Sequence, residues 1–131
     1  GGGHNHRGGL HEGVMVKDNH IAAVGDPEEL REKVWELAAA GHPVAIEAHT
    51  VEQALLFATF PVRLLLLDNF PLSALRRAVR YVRAVNPSIQ IEASGGMTLA
   101  NVRDVTRTGV DRISVGALTH SAPAANLALE L

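Results

Sequence analysis

Leu64-Leu65-Leu66-Leu67-Asp68-Asn69-Phe70-Pro71 is an apolar run that stops on a carboxylate and an amide and is followed by a proline. Four leucines fall far short of the roughly 18 residues that cross a bilayer, and a short apolar run without strict alternation fits a strand buried on both faces. The same break recurs along the chain. Val14-Met15-Val16 ends in Lys17-Asp18-Asn19-His20, Val44-Ala45-Ile46 in Glu47, Ile89-Gln90-Ile91 in Glu92-Ala93-Ser94-Gly95-Gly96, and Ile113-Ser114-Val115 in Gly116. In a parallel β/α array the C-terminal ends of the strands share one face, where such folds bind ligands, so these repeated breaks describe a site.

Helical signals separate the runs. Asp26-Pro27-Glu28-Glu29 is a helix start, with an acid at the N-cap, proline at the first helical position and two acids at the positive dipole end. Leu30, Val34, Leu37 and Ala38 follow at helical spacing until Gly41. Thr50-Val51-Glu52-Gln53 fits a capping box opening a helix through about Phe57. A third helix after Pro71 turns Leu72, Leu75, Val79 and Val82 inward and Arg76, Arg77, Arg80 and Arg83 outward. Thr98 is expected to cap a fourth, ending near Gly109.

The order is therefore β-α-β-α-β-α-β-α-β, with strand centres near Met15, Ala45, Leu66, Ile91 and Ile113 every 21 to 30 residues, the period of crossover units in a parallel sheet or barrel. Five strands cannot close an eight-stranded barrel. The array is either a doubly wound open sheet or the later part of a barrel, and the abrupt Gly1-Gly2-Gly3 start, without methionine, favours the second. The expected fold class is thus α/β, an incomplete, open TIM-like barrel of about five βα units over residues 1–131. A barrel piece of this kind would expose apolar strand edges.

Composition narrows the chemistry. With 131 residues, 47% apolar and 4% aromatic, the chain can bury the core of one aliphatic α/β domain. Zero cysteines exclude disulfides, thiolate metal sites and cysteine nucleophiles. A formal charge of −2 gives no overall attraction for nucleic acid or membrane. Neither a spanning segment nor a secretory signal is present, so a cytoplasmic location is expected. The arginines of the third helix have no interleaved aromatics and read as a solvated face rather than a nucleic-acid stripe.

Ser94-Gly95-Gly96 and Val115-Gly116-Ala117 place glycine-containing loops after consecutive strands. Glycines there allow tight turns, but the pair also fits a phosphate grip, in which backbone N–H groups and the helix start behind Thr98 would favour an anion. Glu47 and Asp68 end neighbouring strands, placing two hard oxygen ligands within reach of one Mg²⁺ carried in with a polyphosphate; a salt bridge to Lys17 is the competing reading. His4, His6, Arg7, Lys17 and His20 gather donors and cations in the first twenty residues, which suits a carboxylate-rich ligand better than a transition metal. The contiguous His4-Asn5-His6 is unlike a nuclease motif whose residues are scattered, and His11, His42 and His49 are read as structural.

Taken in order, Gly1-Gly2-Gly3-His4-Asn5-His6-Arg7, Lys17-Asp18-Asn19-His20-Ile21, Leu67-Asp68-Asn69-Phe70, Ala93-Ser94-Gly95-Gly96 and Val115-Gly116-Ala117-Leu118-Thr119-His120-Ser121 closely resemble the carboxylating nicotinate-nucleotide pyrophosphorylases, or quinolinate phosphoribosyltransferases. The resemblance implies a subunit with an N-terminal sandwich domain and an early barrel segment that this chain lacks, and a homodimer or dimer-based assembly sharing its active site. By the same resemblance His6, Arg7 and Lys17 would contact the two carboxylates of quinolinate. Glu47 and Asp68 would hold Mg²⁺ and the ribose-pyrophosphate portion of phosphoribosyl pyrophosphate, with Lys17, Glu47 and Asp68 at the chemistry. Ser94, Gly95 and Gly116 would take a phosphate, with His120 nearby. One departure is visible: Ala45-Ile46-Glu47-Ala48 stands where the family often has Glu-Val-Glu-Val, so the first acid is absent. The implied reaction yields nicotinate mononucleotide, pyrophosphate and carbon dioxide. Another phosphate-binding barrel enzyme, acting on nicotinate or a sugar phosphate, and an inactive barrel piece are the alternatives.

Overall fold

The computed structural model of the chain describes residues 2–5, 12–121 and 124–129. Five parallel strands, β1 (Val14–Val16), β2 (Val44–Ala48), β3 (Leu64–Asp68), β4 (Gln90–Ser94) and β5 (Arg112–Ile113), form one sheet in the order β1-β2-β3-β4-β5. Spatial order and chain order coincide. A doubly wound sheet needs a reversal of winding, so the observed sequence of strands is that of an α/β barrel left open.

Helices α1 (Asp18–Val24) and α2 (Pro27–Ala39) join the first two strands. Single helices α3 (Val51–Phe57), α4 (Leu72–Val85) and α5 (Val102–Thr106) join the rest, and α6 (Ala117–His120) follows β5. The start of α2 is as the sequence predicts: Asp26 accepts from the N–H groups of Glu28 and Glu29, with Pro27 behind it. The α2 end closes through Gly41, at φ 84°, where a side chain would be strained.

Side-chain parity divides the sheet. Val16, Val44, Ile46, Ala48, Leu65, Leu67, Ile91 and Ala93 all belong to the core packed against the helices, whereas the intervening Leu64 and Leu66 do not. Leu30 and Val34 of α2, Ala54 and Phe57 of α3, and Leu75, Ala78, Val79 and Val82 of α4 pack into this core. Alternate residues of a strand point to opposite faces, so Glu47, Asp68, Glu92 and Ser94 lie on the face turned away from the helices. Register aligns them, with Glu47 beside Leu66, Leu66 beside Glu92, and Asp68 beside Ser94.

Four local expectations need correction. Thr98 does not cap a helix: its N–H is bound by Asn101 Oδ1, the segment 98–101 is a turn, and α5 runs only from Val102 to Thr106. The expected order has one helix between the first two strands, but Lys17-Asp18-Asn19-His20 opens a further one, α1, where His20 Nδ1 accepts from the Lys17 N–H. The Gln53 side chain reaches the N–H of His49, one residue before the Thr50 cap, rather than that of Thr50. Arg83 leaves the solvated row, donating to the carbonyls of Pro87 and Ile89 and pairing with Asp111, which also accepts from the Ile91 N–H. Among the described residues no helix is long and apolar enough to cross a membrane.

Candidate functional site

The site assembles at the C-terminal ends of β2, β3 and β4. Glu47 is the penultimate residue of β2 and Asp68 the last of β3. Between their side chains stands the His49 ring, its Nε2 2.9 Å from Glu47 Oε1 and its Nδ1 3.8 Å from Asp68 Oδ2. The partner Glu47 takes is therefore His49, not the Lys17 of the competing reading. Position explains why. His49 lies two residues past Glu47, which keeps it on the same face, and its backbone N–H is tied to Gln53 Oε1 at 2.8 Å where α3 begins.

One ligand atom each from Glu47, His49 and Asp68 lies within 4.8 Å of the others. Two carboxylates and an imidazole are a donor set that fits a divalent cation. Asp68 is also held from the other side, its Oδ2 accepting from Asn69 Nδ2 at 2.6 Å. Asn69 has φ 55°, a conformation that asparagine tolerates better than most residues.

Asn69 links this cluster to the glycine loop. Its N–H donates to the Ser94 carbonyl at 3.0 Å, and its side chain fills the space where a Cβ on Gly95 would sit, only 2.2 Å from Oδ1. Gly95 and Gly96 have φ 85° and 60°, so the loop needs glycine for backbone reasons as well. The expected phosphate grip changes in character: α5 begins at Val102, and Asn101 Nδ2 closes the loop by donating to the Gly96 carbonyl. Any anion held here would meet loop N–H groups rather than the start of a helix behind Thr98. Gly116 precedes α6, and a Cβ on it would come within 2.8 Å of His120 Nε2; the His120 Nδ1 lies 2.8 Å from Ser121 Oγ. His120 and Gly116 are thus side by side.

Lys17 is exposed immediately after β1, and Val16 pairs with Ile46, so Lys17 leaves its strand beside Glu47. His6 and Arg7 lie outside the described residues. The sequence places Glu92 only at a strand end; in the structure it is 1% exposed and accepts a hydrogen bond from Ser114 Oγ. Its signal was available, because Glu92 precedes Ser94 by the two residues that keep side chains on one face.

A model of the quinolinate phosphoribosyl transferase C-terminal domain matches residues 1–130. The carboxylating nicotinate-nucleotide pyrophosphorylase of Mycobacterium leprae is 41% identical over 133 residues, which cover 100% of this chain and 46% of that protein. The human enzyme of the same name is 37% identical over 131 residues, 100% of this chain and 44% of its own. The crystal structure of nicotinate-nucleotide pyrophosphorylase from Ehrlichia chaffeensis superposes with a TM-score of 0.79 at 35% identity, covering 92% of this chain and 42% of that one. The chain thus spans less than half the length of these relatives.

Proposed function

Because the chain belongs to the family of the quinolinate phosphoribosyl transferase C-terminal domain, we propose that it supplies the barrel part of a carboxylating nicotinate-nucleotide pyrophosphorylase. The reaction would convert quinolinate and phosphoribosyl pyrophosphate to nicotinate mononucleotide, pyrophosphate and carbon dioxide. The observation that carries this reading is the convergence of Glu47 and Asp68 at neighbouring strand ends, with ligand atoms inside 4.8 Å, next to the Gly95 loop.

In this reading Glu47 and Asp68 bind the ribose-pyrophosphate portion of phosphoribosyl pyrophosphate and hold its divalent ion, Mg²⁺, partly through water. When bound, the ion neutralises charge that gathers on pyrophosphate as the bond to the ribosyl carbon breaks. Ser94, Gly95 and Gly116 hold a phosphate through loop N–H and hydroxyl donors, with His120 over Gly116. Lys17, together with His6 and Arg7, meets the two carboxylates of quinolinate and orients its ring nitrogen toward the oxocarbenium-like carbon. After that nitrogen forms its bond, the 2-carboxylate departs as carbon dioxide, the adjacent ring cation stabilises the electron pair left on C2, and a proton from solvent completes the C2–H bond of nicotinate mononucleotide. The same reading includes a cytoplasmic location and a homodimer or dimer-based assembly with a shared active site.

The test is release of labelled carbon dioxide from quinolinate labelled at its 2-carboxylate, using the full chain with Mg²⁺. Release that requires phosphoribosyl pyrophosphate is expected. An intact, folded full-length protein carrying this chain that releases none would refute the proposal.

A further inference from the structure

Glu47 and Asp68 share a role in the proposed function but are held in place differently. Asp68 Oδ2 accepts from Asn69 Nδ2 at 2.6 Å, and Asn69 is itself tied to β4 through the Ser94 carbonyl. Glu47 is a longer side chain with more rotatable bonds, and among the described residues its carboxylate makes no hydrogen bond or ion pair except with His49. We propose that His49 is a positioning residue for phosphoribosyl pyrophosphate: its ring holds the Glu47 carboxylate in the orientation that receives the ribose-pyrophosphate portion. This rests on the reading that Glu47 binds that substrate, and goes beyond it by naming what sets Glu47.

The contacts give the effect its direction. His49 Nε2 stands 2.9 Å from Glu47 Oε1, and an ionised carboxylate can only accept, so the ring is the donor. The separation of 3.8 Å between Nδ1 and Asp68 Oδ2 is too long for a hydrogen bond, so the ring grips one carboxylate and borders the other. With Oε1 engaged, Oε2 is the oxygen left to the substrate and the Mg²⁺ it carries. A glutamate loses side-chain freedom when it is fixed, so an orientation set before binding spares the substrate that loss. The same face of β2 offers no second acid, because Ala45 is the residue before Glu47 in that row.

His49 can set Glu47 because its own backbone is fixed. It follows the buried Ala48, its N–H donates to Gln53 Oε1 at 2.8 Å, and the Gln53 N–H donates to Thr50 Oγ1 at 3.1 Å. The start of α3 thus anchors His49. Its side chain is 37% exposed against 12% for Glu47, so the ring reaches the carboxylate from the solvent side and its removal empties no core space.

Calorimetric titration of phosphoribosyl pyrophosphate with Mg²⁺ into the full-length protein carrying this chain, together with steady-state kinetics, tests this. His49→Leu should weaken phosphoribosyl pyrophosphate at least about threefold in both Kd and KM, with kcat and the KM for quinolinate changed less than about twofold. His49→Gln, whose amide nitrogen can reach the place of Nε2, should restore binding to within about twofold of the parent. Without Glu47 the ring has nothing to hold, so His49→Leu should add no further loss in a Glu47→Ala background. Unchanged or tighter binding in His49→Leu, no rescue by His49→Gln, or additive losses in the double variant would overturn the proposal. The reading beneath it fails separately. If Glu47→Ala binds phosphoribosyl pyrophosphate as the parent does, that reading is refuted, whereas a loss in Glu47→Ala with none in His49→Leu refutes the positioning role alone.

Discussion

Alanine at Gly95 would set a methyl group 2.2 Å from Asn69 Oδ1, 2.6 Å from its Cγ and 2.9 Å from its backbone nitrogen. The side chain of Asn69 can swing aside, but its backbone N–H is bound to the Ser94 carbonyl and cannot move without parting β3 from β4. Three costs follow. An alanine at φ 85° loses about 1–2 kcal/mol in the left-handed region. A displaced Asn69 gives up its bond to the Asp68 carboxylate, an interaction of about 1.5–3 kcal/mol when protected and nearer 1 kcal/mol at this exposed residue. Residual overlap with the backbone nitrogen adds to both. Gly95→Ala should therefore lose about 2–4 kcal/mol. Gly96→Ala, at φ 60° with no atom within 4 Å of the added carbon, should lose only the conformational part, about 1–2 kcal/mol. Urea unfolding of the full chain measures both, and Asn69→Gly should narrow the gap between them by relieving the contact. Equal losses in the two alanine variants, or a gap that Asn69→Gly leaves intact, would refute the claim that Gly95 exists to admit Asn69.

The remaining expectations concern the core, the helix surface and the proposed contact of Lys17 with quinolinate. Glu92→Ala should destabilise by about 2–4 kcal/mol in thermal unfolding, because Glu92 is 1% exposed and its loss strands the Ser114 hydroxyl. A loss below about 0.5 kcal/mol would show that no buried network depends on it. Arg83→Ala should cost about 1–2 kcal/mol through its bonds to Ile89 and Asp111, whereas Arg76→Ala and Arg77→Ala on the same helix should stay within about 0.5 kcal/mol. Three equal losses would contradict the separate role of Arg83. Lys17→Ala should lower kcat/KM for quinolinate about 10- to 150-fold, the loss of one charge-assisted contact, while leaving KM for phosphoribosyl pyrophosphate nearly unchanged. Unchanged steady-state kinetics for quinolinate would remove Lys17 from the site.

The strands and the long helices were legible because each rests on a signal within one segment. The Asp26-Pro27 start of α2 and the apolar spacing of Leu75, Val79 and Val82 in α4 need no partner elsewhere to be read. Glu47 and Asp68 were legible for the same reason, as polar residues ending apolar runs. What escaped depends on partners distant in the chain. Arg83 looked solvated until Asp111, 28 residues later, was seen to meet it, and Glu92 gave no sign that Ser114 would cover it. Thr98 misled because Thr and Asn serve equally well to satisfy a turn, and here the Asn101 side chain closes the loop from both ends.

His49 belongs to neither group, and it shows how fold and site share one cause. Along β2 the side chains of Val44, Ile46 and Ala48 enter the core, so Ala45 and Glu47 take the other face, and His49 continues that row past the strand's end. Register then brings Glu47 beside Leu66 of β3, two residues before Asp68. A slip of one residue in either strand would turn a carboxylate into the apolar layer beneath α3 and α4. The burial that fixes the register, carried by fully buried Ile46, Leu65, Leu67 and Ile91, is therefore also what converges Glu47, His49 and Asp68. A core-conserving change such as Ile46→Val should therefore cost about 0.5–1.5 kcal/mol in urea unfolding yet leave the pairing of His49 with Glu47, read from the His49 ring signals in proton NMR, unaltered.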